Sequence, residues 1–69
     1  MSEYVVFKIA FGVDILRCDV VVGRVRASSE REAVALATGI KDPMPTSVKW
    51  VDEDIYDFQF YAVNAESRF

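Results

Sequence analysis

The sequence has no histidine and one cysteine, Cys18. Without histidine there is no Ser-His-Asp triad, no Cys-His pair and no His-based zinc site. One cysteine excludes an internal disulfide and offers no thiolate cluster for a metal. Nothing supplies Cys18 with a general base, so it reads as a small buried hydrophobe, in keeping with a reducing cytosol. No apolar run approaches the roughly 20 residues that a membrane-spanning helix needs. The opening Met1-Ser2-Glu3 lacks the basic end and apolar run of a signal peptide. The expectation is a cytoplasmic protein with no membrane contact, no metal and no cofactor.

Basic charge is also in short supply. Eight Lys and Arg face eleven Asp and Glu, a net charge of −3. A general nucleic-acid binder displaces counterions with Lys and Arg, and an overall negative field opposes that. Direct nucleic-acid binding is therefore not expected from charge alone. With 69 residues there is room for one domain, residues 1–69, and little wall from which to build a substrate cleft. An enzyme is not expected. A hydrophobic content of 52% makes a core possible without staples.

What is present reads as an α+β chain of order ββαββ. Glu3 to Phe11 is rich in β-branched and aromatic residues and predicts a strand. Its odd positions, Val5, Phe7, Ile9 and Phe11, form a fully apolar face. Gly12-Val13-Asp14 reads as a turn. A second strand, about Leu16 to Ala27, changes pattern midway: Cys18, Val20 and Val22 share a face before Gly23, and Val25 and Ala27 carry the apolar positions after it. A β-bulge at Gly23 would turn Arg24 and Arg26 outward.

Ser29-x-x-Glu32 is a capping box that opens a helix, with Ser28 as a competing cap. Gly39 suits the residue just past its end. Ala33, Leu36, Ala37 and Ile40 form one stripe at helical spacing. Lys41 to Ser47 carries both prolines and reads as an irregular connection. Val48 to Val51 predicts a third strand, Asp52-Glu53-Asp54 an acidic turn, and Ile55 to Val63 a fourth strand. Asn64 to Phe69 reads as a polar tail. These elements predict a four-stranded antiparallel sheet with one helix packed on one face. The expected core is Val5, Phe7, Ile9, Val20, Val22, Val25, Ala33, Leu36, Ala37, Trp50, Phe58 and Phe60.

One helix covers one face. The other face is expected to hold Val6, Ala10, Val21, Ile55, Tyr61 and Val63 among Lys8, Asp19, Asp57 and Gln59. An exposed apolar face of this kind marks a contact surface, either for a homodimer or for another protein. An edge strand could also pair with its own copy across a two-fold axis. Arg24 and Arg26, with Arg17 and Arg31 nearby, are the basic cluster, and the bidentate guanidinium suits phosphate or an acidic partner. Asp52, Glu53, Asp54 and Asp57 are the acidic counterpart, suited to a basic groove. They lack the glycine and distal glutamate of an EF-hand loop.

The stretch Val21-Val22-Gly23-Arg24-Val25-Arg26-Ala27-Ser28-Ser29-Glu30 runs from a strand through an arginine pair into a capped, alanine-rich helix. It resembles segments of small phage-encoded anti-CRISPR proteins. The chain is similar to them in kind, being tiny, acidic and without catalytic equipment. The resemblance implies a stoichiometric inhibitor that binds a CRISPR effector and blocks DNA access or nuclease recruitment, and it carries no site residues across. The expected function is thus a non-enzymatic protein-binding module, an inhibitor or adaptor of a nucleic-acid-processing complex. Partner contacts are expected from Arg24, Arg26, Asp52, Glu53, Asp54, Asp57 and Tyr61. The alternatives are a nucleic-acid-binding accessory protein using Arg17, Arg24 and Arg26, and a structural oligomeric component.

Overall fold

The computed structural model describes residues 1–14, 16–50 and 53–68, leaving aside the side chains of residues 48–50, 67 and 68. Strands β1 (Ser2–Phe11) and β2 (Arg17–Ala27) form the first hairpin. Helix α1 (Glu30–Thr38) follows, then β3 (Pro45–Trp50), β4 (Glu53–Tyr56), β5 (Phe60–Asn64) and a single turn of helix, α2 (Ala65–Arg68). The five strands make one antiparallel sheet of order β2-β1-β5-β4-β3. The α+β class and the helix-on-sheet arrangement are as expected. The strand count is five rather than four.

The extra strand arises because the fourth predicted strand breaks in the middle. Asp57 and Phe58 take the left-handed backbone, with φ of 50° and 65°. The chain reverses there, and Tyr56 pairs with Phe60. Aspartate favours turns and is depleted in strands, which is the local reason for the break. The reversal lets β4 pair with β3 while β5 pairs with β1. Asp57 N–H donates to Met44 O (2.9 Å) and Ile9 N–H to Gln59 O (2.7 Å), so the turn is tied to both neighbours.

Helix α1 begins at the predicted cap, Ser29, with the glutamate's return bond shifted to Ser28. Ser29 Oγ accepts from Glu32 N–H (3.1 Å), while the Glu32 carboxylate reaches back to Ser28 N–H (3.2 Å). Gly39 ends the helix in the left-handed region at φ 78°, donating its N–H to Ala35 O. Two residues separate Ala27 from the helix, so α1 must settle on the face that Ala27 and Val25 share. The small side chains of Ala27 and Ala33 allow a close approach, and both are fully buried.

This choice of face corrects the expected core. Val25 lies opposite Tyr4, so the even positions of β1 meet the helix, and Val6 is 0% exposed. The helix-side core is Tyr4, Val6, Ala27, Ala33, Val34, Tyr56 and Ala62, flanked by Val25, Ala37 and Phe60. Burial of a valine such as Val6 or Val34 contributes about 1.5–3 kcal/mol. Val20, Val22, Leu36 and Phe58, expected inside, are exposed, and Cys18 is exposed as well. The side chain of Trp50 lies outside the described set.

The second face is also corrected. Val5, Ile55, Tyr61 and Val63 on that face are each less than a tenth exposed. Val6 and Ala10, expected there, sit on the helix side. The predicted irregularity near Gly23 is observed. The β1–β2 register shifts so that Val6 faces Gly23 and Phe7 faces Val21, which leaves Val22 as the extra residue. Its effect is the expected one: Val25 and Ala27 turn to the helix, Arg24 and Arg26 away from it.

Candidate functional site

Three groupings of side chains stand out, and the sheet register sets where each one lies. The first is a polar clasp on the face away from α1. Ile9 faces Asp19, Phe11 faces Arg17 and Phe7 faces both Val21 and Tyr61. These pairings bring Arg17, Asp19 and Tyr61 together across three strands. Arg17 binds the Asp19 carboxylate bidentately, Nε to Oδ1 at 2.8 Å and Nη2 to Oδ2 at 2.9 Å. The Tyr61 hydroxyl donates to Asp19 Oδ2. The Arg17 guanidinium lies 5.6 Å from the Tyr61 ring centroid, and Phe7 stacks on that ring at 5.1 Å.

The electrostatics of the clasp are those of a closed network. The Arg17 hydrogen bonds hold the Asp19 carboxyl below its ordinary range, and the Tyr61 hydroxyl adds to the effect. Burial, then the bond to Asp19, pushes the Tyr61 phenol well above its ordinary range. The hydrogen bond to Asp19 raises Arg17 in turn. A carboxylate so engaged is a weak base, and a phenol so raised stays protonated at neutral pH. The clasp is suited to holding strands together rather than to proton transfer.

The second grouping lies at one end of the sheet. The β1–β2 connection is at that end. The pairing of Lys8 with Phe60 brings the 57–59 turn there too, and the bond from Asp57 N–H brings Met44. Phe11, Val13, Leu16, Met44 and Phe58 are thus gathered from three segments, all exposed, with Phe58 at 83%. Gly12 N–H donates to Leu16 O at 2.8 Å, which closes the base of the hairpin connection. The apolar character of this end follows from helix length. Nine residues of α1 span about 13 Å, whereas eleven residues of β2 span about 36 Å. The helix therefore stops short of the hairpin tip.

The third grouping holds most of the predicted charged residues, at the opposite end. Arg24 Nε donates to Glu3 Oε2 at 2.8 Å, and Arg26 Nη2 to Met1 O at 3.4 Å. Glu53 and Asp54 open β4, half-buried. Asp57 is not with them. Ile55 and Tyr56 intervene, which sets Asp57 about 10 Å from Asp54 at strand rise, in the turn that follows β4, so the expected acidic cluster is not one group. Asp52 lies outside the described residues. Tyr61 is buried within the clasp rather than displayed. A groove beside α1, lined by Ser29, Arg31, Glu32, Ala35, Asp42 and Pro43, is spanned by an Arg31–Asp42 ion pair.

The hairpin end went unrecognised in the sequence because Phe58 and Phe11 read as strand-face residues. The signal available was Asp57, a turn former inside an apparent strand. Among the described residues no group of three metal-ligating side chains forms, and no helix is long and apolar enough to cross a membrane. Comparisons with protein-family models, curated proteins and solved structures find no match.

Proposed function

We propose that the chain is a small, non-enzymatic protein-binding module whose hairpin end docks into an apolar pocket on a larger protein. The observation that carries this reading is the gathering of Phe11, Val13, Leu16, Met44 and Phe58, all exposed, at one end. Several exposed apolar side chains at one end of a small domain mark a contact site, and an exposed aromatic is the usual centre of one. The narrower reading, a stoichiometric inhibitor of a nucleic-acid-processing complex, draws support from the net charge of −3 and from Glu53 and Asp54 at the far end. The accessory nucleic-acid reading is less favoured, because Arg17 and Arg24 are each paired with a carboxylate.

The test is photocrosslinking in an extract of the source cells, with a photoreactive residue at position 58 or, for contrast, at position 24. A discrete adduct is expected from position 58. It should disappear under excess unlabelled chain and when Phe11 and Leu16 are changed to Asp. Crosslinking from position 24 alone, insensitive to those changes, rejects the hairpin end as the docking surface. For the narrower reading, Glu53→Gln with Asp54→Asn should weaken capture of the same partner. Unchanged capture removes the acidic residues from the interface.

A further inference from the structure

We infer that the free edge of β2 is the interface of a homodimer, in which two copies join antiparallel about a two-fold axis between Val21 and Val22. This surface is distinct from the hairpin end. The sheet order leaves two edge strands, β2 and β3. The β3 edge is six residues long and starts at Pro45. Short length and proline are among the means that keep an edge from pairing. β2 has eleven residues with neither proline nor lysine, and its middle is Val20-Val21-Val22, all exposed.

The apolar strip continues onto the helix. Arg31 and Ala35 lie on the flank of α1 that faces Asp42 and Pro43. At about 100° per residue, Leu36 projects from the opposite flank, toward the β2 edge. Leu36 is 59% exposed, although it belongs to the apolar stripe of the helix. A copy paired along β2 would cover it with the helix-side residues of its own hairpin.

The occupant is a second copy because β2 is complementary to itself. In a regular strand, only registers whose paired numbers add to an even sum match faces across a two-fold axis. The bulge at Val22 changes the parity. Before it, Asp19 lies on the face away from the helix; after it, Arg24 does. Odd sums then match faces, and of these the register centred on the exposed Val21 and Val22 sets Asp19 against Arg24 of the copy, Cys18 against Val25, and Val20 against Gly23. The central contact is Val21 with Val22. On both sides of an apolar centre the Asp19–Arg17 pair of one copy thus comes beside the Arg24–Glu3 pair of the other, so that the four charges can alternate in sign. Arg17 comes opposite Arg26, but its guanidinium is already folded onto Asp19 and the Tyr61 ring. In this arrangement the sheet runs through ten strands, both α1 helices lie on one face, and the two hairpin ends point in opposite directions, with Phe58 remote from the paired edges.

Light scattering across a concentration series is expected to show a doubled mass that Val21→Lys returns to that of one chain. Phe58→Asp, away from the edge, should leave the doubling intact. Register is read by Val25→Cys. Cys18 and position 25 are seven residues apart on one extended strand, about 23 Å, too far for a disulfide within one chain. Oxidation should give a covalent dimer with Val25→Cys and none with the native sequence. A mass of one chain at every concentration overturns the interface, and a doubled mass without the crosslink overturns the register. A folding defect in either variant is bypassed in the native chain. Amide exchange in β2 should slow as concentration rises, and concentration-independent exchange rejects the dimer.

Discussion

Phe58 occupies a backbone conformation that suits glycine. At φ 65° an L side chain crowds its own carbonyl, a cost of roughly 1–2 kcal/mol for a residue without a hydrogen-bonding side chain. The ring recovers little in exchange, since it is 83% exposed. Phe58→Gly should therefore stabilise the fold by about 1 kcal/mol, seen as a higher urea midpoint at unchanged slope. It should also weaken partner capture. A lower midpoint would show that the ring contributes to folding after all. Tyr61 makes the opposite case, an aromatic whose polar tip is committed. Its phenol is raised in the fold, so its contribution is complete below the ordinary tyrosine value of about 10 and is lost as pH rises through the folded value. Stability should fall on the alkaline side of about pH 10, less steeply in Tyr61→Phe. At neutral pH that variant should lose roughly 1.5–3 kcal/mol for the missing bond to Asp19. An identical alkaline limb in both proteins would remove Tyr61 as its source.

The elements differ in how far local chemistry determines them. Both ends of α1 were legible, because Ser29, Glu32 and Gly39 act on atoms within one turn. Gly39→Ala should cost about 1 kcal/mol, because a Cβ there meets no atom within 4 Å and the cost is that of left-handed backbone alone. Gly23→Ala should behave differently, since its Cβ also meets open space and its backbone is not left-handed. That variant should match the wild type or exceed it by a few tenths of a kcal/mol in thermal unfolding. Equal losses at both positions would contradict the distinction. The face of the sheet that meets the helix was not legible from β1, since Tyr4 and Val6 alternate with Val5, Phe7 and Ile9 and both sets are apolar. It is decided at the end of the neighbouring strand, β2, by the short link from Ala27 to Ser29. The split of the last strand was hidden for a similar reason. Asp57 is the only turn former in a run of aromatics, and the partner that rewards the reversal is β1, some fifty residues earlier in the chain.

Taken whole, the molecule is polarised along its 38 Å axis. Apolar side chains gather at the hairpin end, while the ion pair of Glu3 and Arg24 and the carboxylates of β4 lie toward the other. Part of this was visible in the sequence: the arginine pair and the acidic run were found, but not that Asp57 sits apart from Glu53 and Asp54. Which apolar residues are exposed could not be read from composition, because exposure follows from the length of α1 against the length of β2. That mismatch also divides β1 in time. Its first part, Tyr4 to Lys8, lies between two strands, and Tyr4 and Val6 pack against the helix-side core. Beyond Ile9 the hairpin is a two-stranded ribbon, a unit of little stability on its own in water. In dilute solution, the amides of Ala10, Phe11, Arg17 and Cys18 should exchange through brief local openings, and those from Tyr4 to Lys8 only when the whole chain unfolds. A uniform exchange rate along β1 would show that the ribbon and the core open together. A single continuous strand thus has one lifetime at its centre and a much shorter one at its tip, and under the proposed function the tip is the part that a partner would meet first.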